Sequence, residues 1–264
     1  HGNYGPNMNT NECDVLIAVG MRFDDRVTGN TAKYAKQAKI VHIDIDRSEH
    51  NKNIKVDVAL LADAKQALSE LNKLVSGSER PEWMKSFKDY YQLEFDKVIK
   101  KQAYSDNEKI NMAEVIRTVS EQTNGEAILC SDVGQNQMAS ARYYKFKKPN
   151  TQITSGGLGT MGFALPAAIG AQIGDKDAKV VSISGDGGFQ MTLQELAMIR
   201  QYNLPVKTIV LNNSFLGMVR QWQDLFFDQR FSCTKLDNPD FVKIVEGYGI
   251  QAKRVSKRED LDSA

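Results

Sequence analysis

Asp186 and Asn213 stand at equivalent points after two strand-like segments, and both side chains offer oxygen atoms that suit hard cations. Asp186 follows the apolar run 180–184, and Asn213 follows the run 208–211. A helix-like segment, 191–202, lies between the two runs, so the pattern predicts a β-α-β unit with parallel strands. Both side chains then lie at the carboxyl ends of strands, where open α/β sheets bind ligands. A carboxylate and an amide oxygen suit a magnesium ion that also takes phosphate oxygens.

An ordinary β-α-β unit is the alternative, in which Asp186 caps the helix and the asparagine pair 212–213 forms a turn. The motif GDGGFQ at 185–190 favours a ligand site. Gly187 and Gly188 leave space for phosphate and expose backbone N–H groups near a helix N-terminus. The pattern therefore predicts a phosphate group that is anchored through a metal ion.

Two further segments bring flexible or polar backbone to the same kind of sheet edge. The run SGGLG (155–159) can adopt positive φ and approach a ligand closely, with a plain turn before the apolar helix candidate 163–173 as the alternative. The run DVGQ (132–135) ends the strand-like segment 127–130, so its amides can bind a diphosphate.

The first part of the chain carries charged residues after its own strand-like segments. The run RFDDR (22–26) follows the segment 14–19, and a charged surface loop is the alternative interpretation. Asp44 lies in HIDID (42–46) at the end of the next strand, and Asp63 follows in another loop. An acidic residue at such a position binds a ribose hydroxyl in dinucleotide folds, which makes Asp44 a candidate, although the glycine fingerprint of those folds is absent.

The composition excludes several classes of protein. The 264 residues are 41% hydrophobic, and 34 basic and 33 acidic side chains give a net charge of +1, which does not favour nucleic acid. Cys13, Cys130 and Cys233 are far apart and odd in number, which indicates a reducing compartment without a disulfide framework. No apolar run approaches the roughly 18 residues that span a bilayer.

The chain reads as two α/β regions, each with a parallel sheet flanked by helices. Residues 1–76 form the first region and residues 108–264 the second. Between them, 77–107 reads as a linker that contains a long polar helix at 81–104.

Four blocks in this order resemble the catalytic subunit of the acetohydroxyacid synthase (acetolactate synthase) family of thiamine-diphosphate enzymes. They are GMRFDDRVTG (20–29), DVGQNQM (132–138), TSGGLGTMG (154–162) and the run from GDGGFQ (185–190) through GMVRQWQ (217–223). The first and last blocks distinguish this family from pyruvate decarboxylases and other relatives that share only the metal motif. The resemblance implies that 1–76 is part of a middle FAD-binding domain and 108–264 a thiamine-diphosphate domain.

The resemblance also implies a role for individual residues. Magnesium is bound by the side chains of Asp186 and Asn213 and by the backbone carbonyl of Phe215. Thiamine diphosphate is contacted by Val133, Gly134, Gln135, Asn136, Gly159, Met161, Gly185, Gly187, Gly188 and Met218; the family commonly has His where this chain has Asn136. FAD is contacted by Gly20, Arg22, Asp24, Val27, Asp44, Ile45, Asp63, Gln137, Met138, Gly156 and Gly157. The substrate pocket is lined by Met218, Val219 and Trp222.

The activity implied is decarboxylation of pyruvate and condensation with a second pyruvate or with 2-oxobutyrate, in the biosynthesis of branched-chain amino acids. FAD performs no net redox step in this family. One alternative is another FAD-containing carboligase or oxidase, such as glyoxylate carboligase or pyruvate oxidase. The other is a cofactor-binding fragment without activity of its own.

The two ends of the sequence suggest a piece of a longer enzyme. It opens on His1-Gly2, and a capping box at 256–259 comes too late for a stable helix to follow. The family's activating glutamate belongs to a domain that precedes this segment, so no catalytic residue is assigned here. The resemblance implies a homodimer or homotetramer with the active site at the interface, a small regulatory subunit and a bacterial-like cytoplasmic location, with organellar targeting left open.

Overall fold

The computed structural model describes residues 2–106 and 108–264, so His1 and Asn107 lie outside it. The chain divides into two compact units, His1–Ile99 and Lys100–Ala264. The division falls within the region 77–107, whereas the domain limits set out above stay predictions. No helix within the described residues is long and apolar enough to cross a membrane.

Unit 1 is built on a three-stranded parallel sheet in the order β1-β2-β3. The strands are β1 Val15–Val19, β2 Lys39–Asp44 and β3 Val58–Leu61. The helices are α1 Tyr4–Thr10, α2 Asp25–Thr28, a 3₁₀ turn Arg47–Glu49, α3 Ala64–Leu74, α4 Pro81–Glu94 and a π-helical turn Phe95–Ile99. The apolar core contains Ala18, Phe23, Ile40 and Ile54. Because all three strands are parallel, the loops that follow them meet at one edge.

Helix α4 belongs to unit 1, where it packs on α1. The Tyr4 backbone N–H donates to Glu94 Oε2 at 2.9 Å, and the Tyr90 hydroxyl donates to Glu12 Oε1 at 2.7 Å. The single helix predicted at 81–104 is therefore interrupted: the α-helical hydrogen-bond pattern changes at Phe95, where the π-helical turn begins.

Unit 2 contains a four-stranded parallel sheet in the order β5-β4-β6-β7. The strands are β4 Ile128–Ser131, β5 Gln152–Thr154, β6 Val180–Gly185 and β7 Lys207–Leu211. The helices are α5 Lys100–Ala103, α6 Met112–Gln122, α7 Gln135–Tyr143, α8 Ala164–Gly174, α9 Asp186–Thr192, α10 Leu196–Tyr202, α11 Gly217–Phe226 and α12 Phe241–Gly247, with 3₁₀ turns Leu193–Glu195 and Arg258–Asp260. The parallel pairing of β6 with β7 confirms the predicted β-α-β unit, and the α/β fold class is confirmed as well.

Helices cover both faces of this sheet. Ile116 of α6 packs with Leu129 and Ile183 on one face, and Ala168 of α8 packs with Cys130 and Val180 on the other. Strands that are buried on both faces favour continuous apolar runs, which explains why β4 and β6 were recognisable from the sequence.

Two local predictions were wrong. The helix expected at 191–202 begins five residues earlier, at Asp186, and is interrupted by the 3₁₀ turn at 193–195. The capping box expected at 256–259 does not form, and Arg258 instead donates from Nε to the buried Glu114 carboxylate at 2.7 Å. That ion pair holds the 3₁₀ turn against the N-terminus of α6.

Candidate functional site

The predicted metal ligands lie at the carboxyl edge of the unit 2 sheet. In the register of β6 and β7, Gly185 pairs with Leu211, so Asp186 and the asparagines that follow β7 leave the sheet side by side. Asp186 is only 2% exposed and is the first residue of α9. Its side chain does not cap the helix, since Gly185 occupies the N-cap position.

The turn alternative for the asparagine pair is present in the structure. Asn212 Oδ1 accepts the Ser214 N–H at 3.1 Å, and Asn213 Oδ1 accepts the Phe215 N–H at 3.0 Å. Ser214 takes a left-handed φ of 60° inside this turn. An amide oxygen accepts two hydrogen bonds, so the turn leaves Asn213 Oδ1 a free lone pair for a cation.

The third predicted ligand, the Phe215 carbonyl, is also available. Leu216 N donates to Thr234 O at 2.8 Å, and Leu236 N donates to Ser214 O at 2.9 Å, in a short antiparallel contact. Alternate residues of such a pair point their backbone groups to opposite sides, so the groups of Phe215 face away from this contact. Within the described residues, its carbonyl accepts no hydrogen bond.

Asn238 joins this edge, although its sequence context did not predict a role for it. Its Nδ2 donates to Asp186 Oδ2 at 2.6 Å and to Asn212 Oδ1 at 2.9 Å. Its Oδ1 accepts Gln190 Nε2 at 2.8 Å. The only local signal was an Asn-Pro pair, which is common in turns, so nothing in the pattern pointed to the metal site.

Asp132 was part of a recognised block but was assigned no role, and it organises three of the predicted segments. Asp132 is 1% exposed, and its Oδ1 accepts the N–H groups of Val133 at 2.7 Å and Gly162 at 3.0 Å. A Cβ added at Gly188 would lie 2.9 Å from the carboxylate carbon. The space at Gly188 therefore accommodates a protein carboxylate, which fixes the end of β4, the glycine-rich loop and the start of α9 relative to one another.

The structure brings Gln135 next to the predicted ligand Asn213. A Cβ added at Gly217 would overlap Gln135 Oε1 and would lie 3.1 Å from Asn213 Nδ2. Gln135 Nε2 in turn donates to Gln221 Oε1 of α11 at 3.0 Å. Gly134, just before α7, has a φ of 116°, which glycine adopts readily.

The remaining residues predicted to contact thiamine diphosphate lie around the same edge. Gly159 has a φ of 64°, and a Cβ there would lie 4.0 Å from Val133 Cγ1. Met161 Cε would lie 3.6 Å from a Cβ at Gly187. Asn136 Nδ2 would lie 3.3 Å from a Cβ at Gly185.

Asn136 also carries an unsatisfied atom. Its side chain is 4% exposed; Nδ2 donates to Val133 O at 3.1 Å, whereas Oδ1 is buried without a hydrogen-bond partner. A buried acceptor without a donor is costly. Together with the oxygen donors of Asp186, Asn213 and Phe215, this orphaned atom makes the edge fit a bound polar group and a hard cation.

No group of three or more His, Cys, Asp or Glu side chains that could hold a metal occurs in the described part of the chain. The predicted donor set at this edge is instead one carboxylate, one amide and one backbone carbonyl. Such a sparse set suits a cation that completes its shell with phosphate oxygens and water.

Comparison with known proteins shows the family to which the chain belongs. The model described as "Thiamine pyrophosphate enzyme, C-terminal TPP binding domain" matches residues 132–264, and "Thiamine pyrophosphate enzyme, central domain" matches residues 1–71. The chain belongs to the thiamine pyrophosphate enzyme family. The C-terminal model begins at Asp132 and covers every residue of the sheet edge described above.

The chain is similar to acetolactate synthase large subunits over its whole length. It is 43% identical to the acetolactate synthase large subunit of Buchnera aphidicola subsp. Schizaphis graminum over 99% of this chain and 46% of that protein. It is 42% identical to the acetolactate synthase isozyme 3 large subunit of Escherichia coli over 100% of this chain and 46% of that protein, and 44% identical to acetolactate synthase 1, chloroplastic, of Zea mays over 100% and 43%. The resemblance based on the four blocks is thereby confirmed. This member of the thiamine pyrophosphate enzyme family spans about half the length of the curated relatives it matches.

The predicted FAD residues of unit 1 lie in the loops that follow its strands. After β1, Gly20 takes a φ of 60°, and Arg22 Nε lies 3.0 Å from Asp24 Oδ2. The hydrogen bond from the Arg22 guanidinium lowers the pKa of the Asp24 carboxyl below its usual value. Asp24 also caps α2 by accepting the Arg26 N–H at 2.9 Å, and Val27 is exposed on that helix.

The other three predicted FAD residues of unit 1 lie at the ends of β2 and β3. Asp44 ends β2 and is 9% exposed, and its Oδ1 accepts the Asp46 N–H at 2.8 Å. Ile45 is 76% exposed. Asp63 follows β3 and caps α3 by accepting the Gln66 N–H at 3.1 Å. The structure thus gathers seven of the eleven predicted FAD residues at one sheet edge of unit 1.

The other four predicted FAD residues belong to unit 2. Gln137 Nε2 donates to Thr154 Oγ1 at 2.8 Å, and Met138 is exposed on α7. Gly156 and Gly157 lie in an exposed loop, and a Cβ at either one would meet no atom within 4 Å. The two sets are therefore each coherent within their own unit.

The predicted substrate-pocket residues share the first two turns of α11. Trp222 lies four positions after Met218 and three after Val219, so its side chain neighbours both of them on the surface of the helix. Trp222 is 42% exposed and Val219 is 49% exposed. The indole is thus not a core residue within the described part of this chain.

Proposed function

We propose that this chain supplies the cofactor-binding part of an acetolactate synthase. The reaction is the thiamine-diphosphate-dependent decarboxylation of pyruvate and condensation with pyruvate or 2-oxobutyrate, which feeds the biosynthesis of valine, leucine and isoleucine. The observation that carries this proposal is the gathering of Asp186, Asn213, the Phe215 carbonyl and the glycine-rich loops at one edge of the unit 2 sheet.

Asp186, Asn213 and the Phe215 carbonyl would hold a magnesium ion, which neutralises the charge of the diphosphate. Gln135, Asn136, Gly159, Met161 and the glycines at 185–188 surround the same edge and would orient the cofactor. Thiamine diphosphate, when bound, supplies the nucleophilic carbon of the reaction. The protein's own contribution is binding, orientation and exclusion of water.

The residues on α11 would act on the substrates. Met218 would support the bent shape of the cofactor, and Val219 and Trp222 would contact the second 2-oxo acid. FAD, which performs no net redox step in the family, would contact the residues after the strands of unit 1. The FAD contacts of Gln137, Met138, Gly156 and Gly157 in unit 2 are a separate part of the proposal. The name "large subunit" of two relatives supports a small regulatory partner, and a homodimer or homotetramer belongs to the same proposal. A cytoplasmic location stays a prediction.

A second candidate function is cofactor binding without turnover by this chain alone. The observation that favours it is the share of the relatives' length that the chain matches, 43–46%. The two candidates predict different results for the purified chain. Incubation with pyruvate, thiamine diphosphate, magnesium and FAD should give no acetolactate above background if turnover needs residues outside this chain, whereas clear acetolactate production would contradict that expectation.

The metal assignment is tested by Asp186→Ala, with Asn213→Ala as an independent second variant. Octahedral magnesium tolerates a missing ligand badly, so both variants should lose magnesium-dependent binding of thiamine diphosphate in isothermal titration calorimetry. The reaction itself is tested with the unsubstituted protein, expressed from the whole reading frame that contains this sequence; its products are assayed from pyruvate alone and from pyruvate plus 2-oxobutyrate. Unchanged affinity in both variants would refute the metal site. Products other than acetohydroxyacids would favour a different carboligase or an oxidase.

A further inference from the structure

We propose that Asn238 is a positioning residue for the cation site. Its side-chain amide holds the Asp186 carboxylate beside the turn that carries Asn213 and the Phe215 carbonyl. This inference rests on the proposed magnesium site, but it concerns a residue outside the predicted ligand set.

The orientation of the Asn238 amide is determined by its partners. Gln190 Nε2 can only donate, so the atom of Asn238 that it contacts at 2.8 Å must be the oxygen. Both hydrogens of Nδ2 are then directed at acceptors, which are Asp186 Oδ2 at 2.6 Å and Asn212 Oδ1 at 2.9 Å. The amide therefore uses both of its donors on the two strand ends that form the site.

These bonds matter because Asp186 is buried. Asp186 is only 2% exposed. No Lys, Arg or His in the described residues forms an ion pair with its carboxylate. The hydrogen bond from Asn238 is charge-assisted and compensates part of the desolvation of Oδ2. Oδ1 accepts no hydrogen bond within residues 2–106 and 108–264, so one carboxylate oxygen remains for a cation.

Contacts on both sides of Asn238 fix its position. The antiparallel bridge between Phe215 and Lys235 joins its segment to the turn after β7. Pro239 follows and favours an extended backbone at Asn238. Asp240 then caps α12 by accepting the Val242 N–H at 3.1 Å. Asn238 is consequently held on both sides, and the segment that places it is the same one that pairs with the residues flanking Phe215.

A residue of this kind supports a metal ligand from outside the ligand set. Removing such a support commonly lowers metal affinity by about 10–100-fold. Replacing Asn238 by Leu removes both donors and should weaken magnesium-dependent thiamine-diphosphate binding by at least about tenfold. Replacing Asn238 by Asp retains the shape of the side chain but places a second carboxylate against that of Asp186. The two carboxylates repel each other, and a bound cation relieves this repulsion.

The experiment compares Asn238→Asp with Asn238→Leu in the whole chain. Thermal unfolding is followed by tryptophan fluorescence with no divalent cation and with magnesium chloride alone, and thiamine-diphosphate affinity is measured by calorimetry. We expect Asn238→Asp to unfold at a lower temperature than the parent without cation and to show a larger upward shift with magnesium. Asn72→Asp, an exposed position on α3, is the matched control for the charge change and should leave the magnesium shift unaltered.

A merely structural role predicts something else. In that case Asn238→Asp would lower the unfolding temperature equally with and without magnesium, and Asn238→Leu would bind thiamine diphosphate as tightly as the parent does; this result would overturn the inference. Should Asn238→Leu fail to fold, the cation dependence of Asn238→Asp still decides the question. Asp186→Ala separates the two proposals. If magnesium still raised the unfolding temperature of this variant, the cation site itself would be refuted. If Asp186→Ala lost the magnesium effect while both Asn238 variants behaved like the parent, only the role of Asn238 would be refuted.

Discussion

Gly188→Ala should destabilise unit 2, although the substitution is small and lies in a helix. The new Cβ would lie 2.9 Å from Asp132 Cγ and Oδ1 and 3.0 Å from Oδ2, closer than such atoms approach in proteins. Asp132 cannot move aside easily, because its carboxylate is buried and accepts the N–H groups of Val133, Gly162 and Ala164. Either the start of α9 or this carboxylate must shift.

The magnitude follows from three terms. Overpacking a tightly packed interior costs about 1–3 kcal/mol. Loosening the hydrogen bonds of the Asp132 carboxylate costs a further ~1.5–3 kcal/mol, since hydrogen bonds to charged groups are strong. The higher helix propensity of Ala returns about 1 kcal/mol. We therefore expect a loss of about 3 kcal/mol, which corresponds to a decrease in Tm of roughly 6–12 °C for a unit of this size.

Trp222 is the single tryptophan of unit 2, so a Trp83→Phe background reports the unfolding of that unit by fluorescence. Gly170→Ala is the matched control, because it lies in the middle of α8, where an added Cβ meets no atom within 4 Å. This control should leave stability unchanged or raise it by up to ~1 kcal/mol. If Gly188→Ala unfolded at the same temperature as the parent, the close packing of Asp132 against α9 would be refuted.

Two further predictions concern reactivity and selectivity. Burial raises the pKa of the Cys130 thiol to about 12, so at pH 8 this thiol should not react with Ellman's reagent in the native chain, whereas the exposed Cys233 should. The buried thiols should react only after denaturation, and rapid native labelling of Cys130 would contradict the structure. In the proposed synthase, Trp222→Leu should lower the preference for 2-oxobutyrate over pyruvate. The extra methylene of 2-oxobutyrate in an apolar pocket contributes about 1–3 kcal/mol to the discrimination between the two acceptors. A competition assay with both acceptors measures the product ratio. An unchanged ratio would remove Trp222 from the substrate pocket.

The sequence by itself was sufficient for the elements whose local pattern is strong. β4, β6 and β7 are apolar runs that end in recognisable polar motifs, and the order of these runs determined the parallel β-α-β unit around Asp186 and Asn213. The strands β3 and β5 were not predicted. β5 has only three residues, and the apolar run of β3 leads directly into the helical pattern of α3, from which so short a run cannot be separated by periodicity. The early start of α9 was hidden by Gly187 and Gly188, which have low helix propensity; in the fold, Gly188 lies against the Asp132 carboxylate and Gly187 against Leu216 and Leu236.

Only the tertiary structure decided how the motifs support one another. Asn238 contacts Asp186 across 52 positions of sequence, and Asp132 reaches Gly162 across 30. A local pattern encodes the period of an element and the residue at its end, because those depend on neighbouring side chains. The partner of a buried polar group depends instead on which segments the fold brings together, here through the antiparallel bridge at Phe215 and the close approach permitted by Gly188. The sequence therefore identified the edge of the sheet that carries the chemistry, whereas the hydrogen bonds that hold its carboxylates in place became visible only in three dimensions.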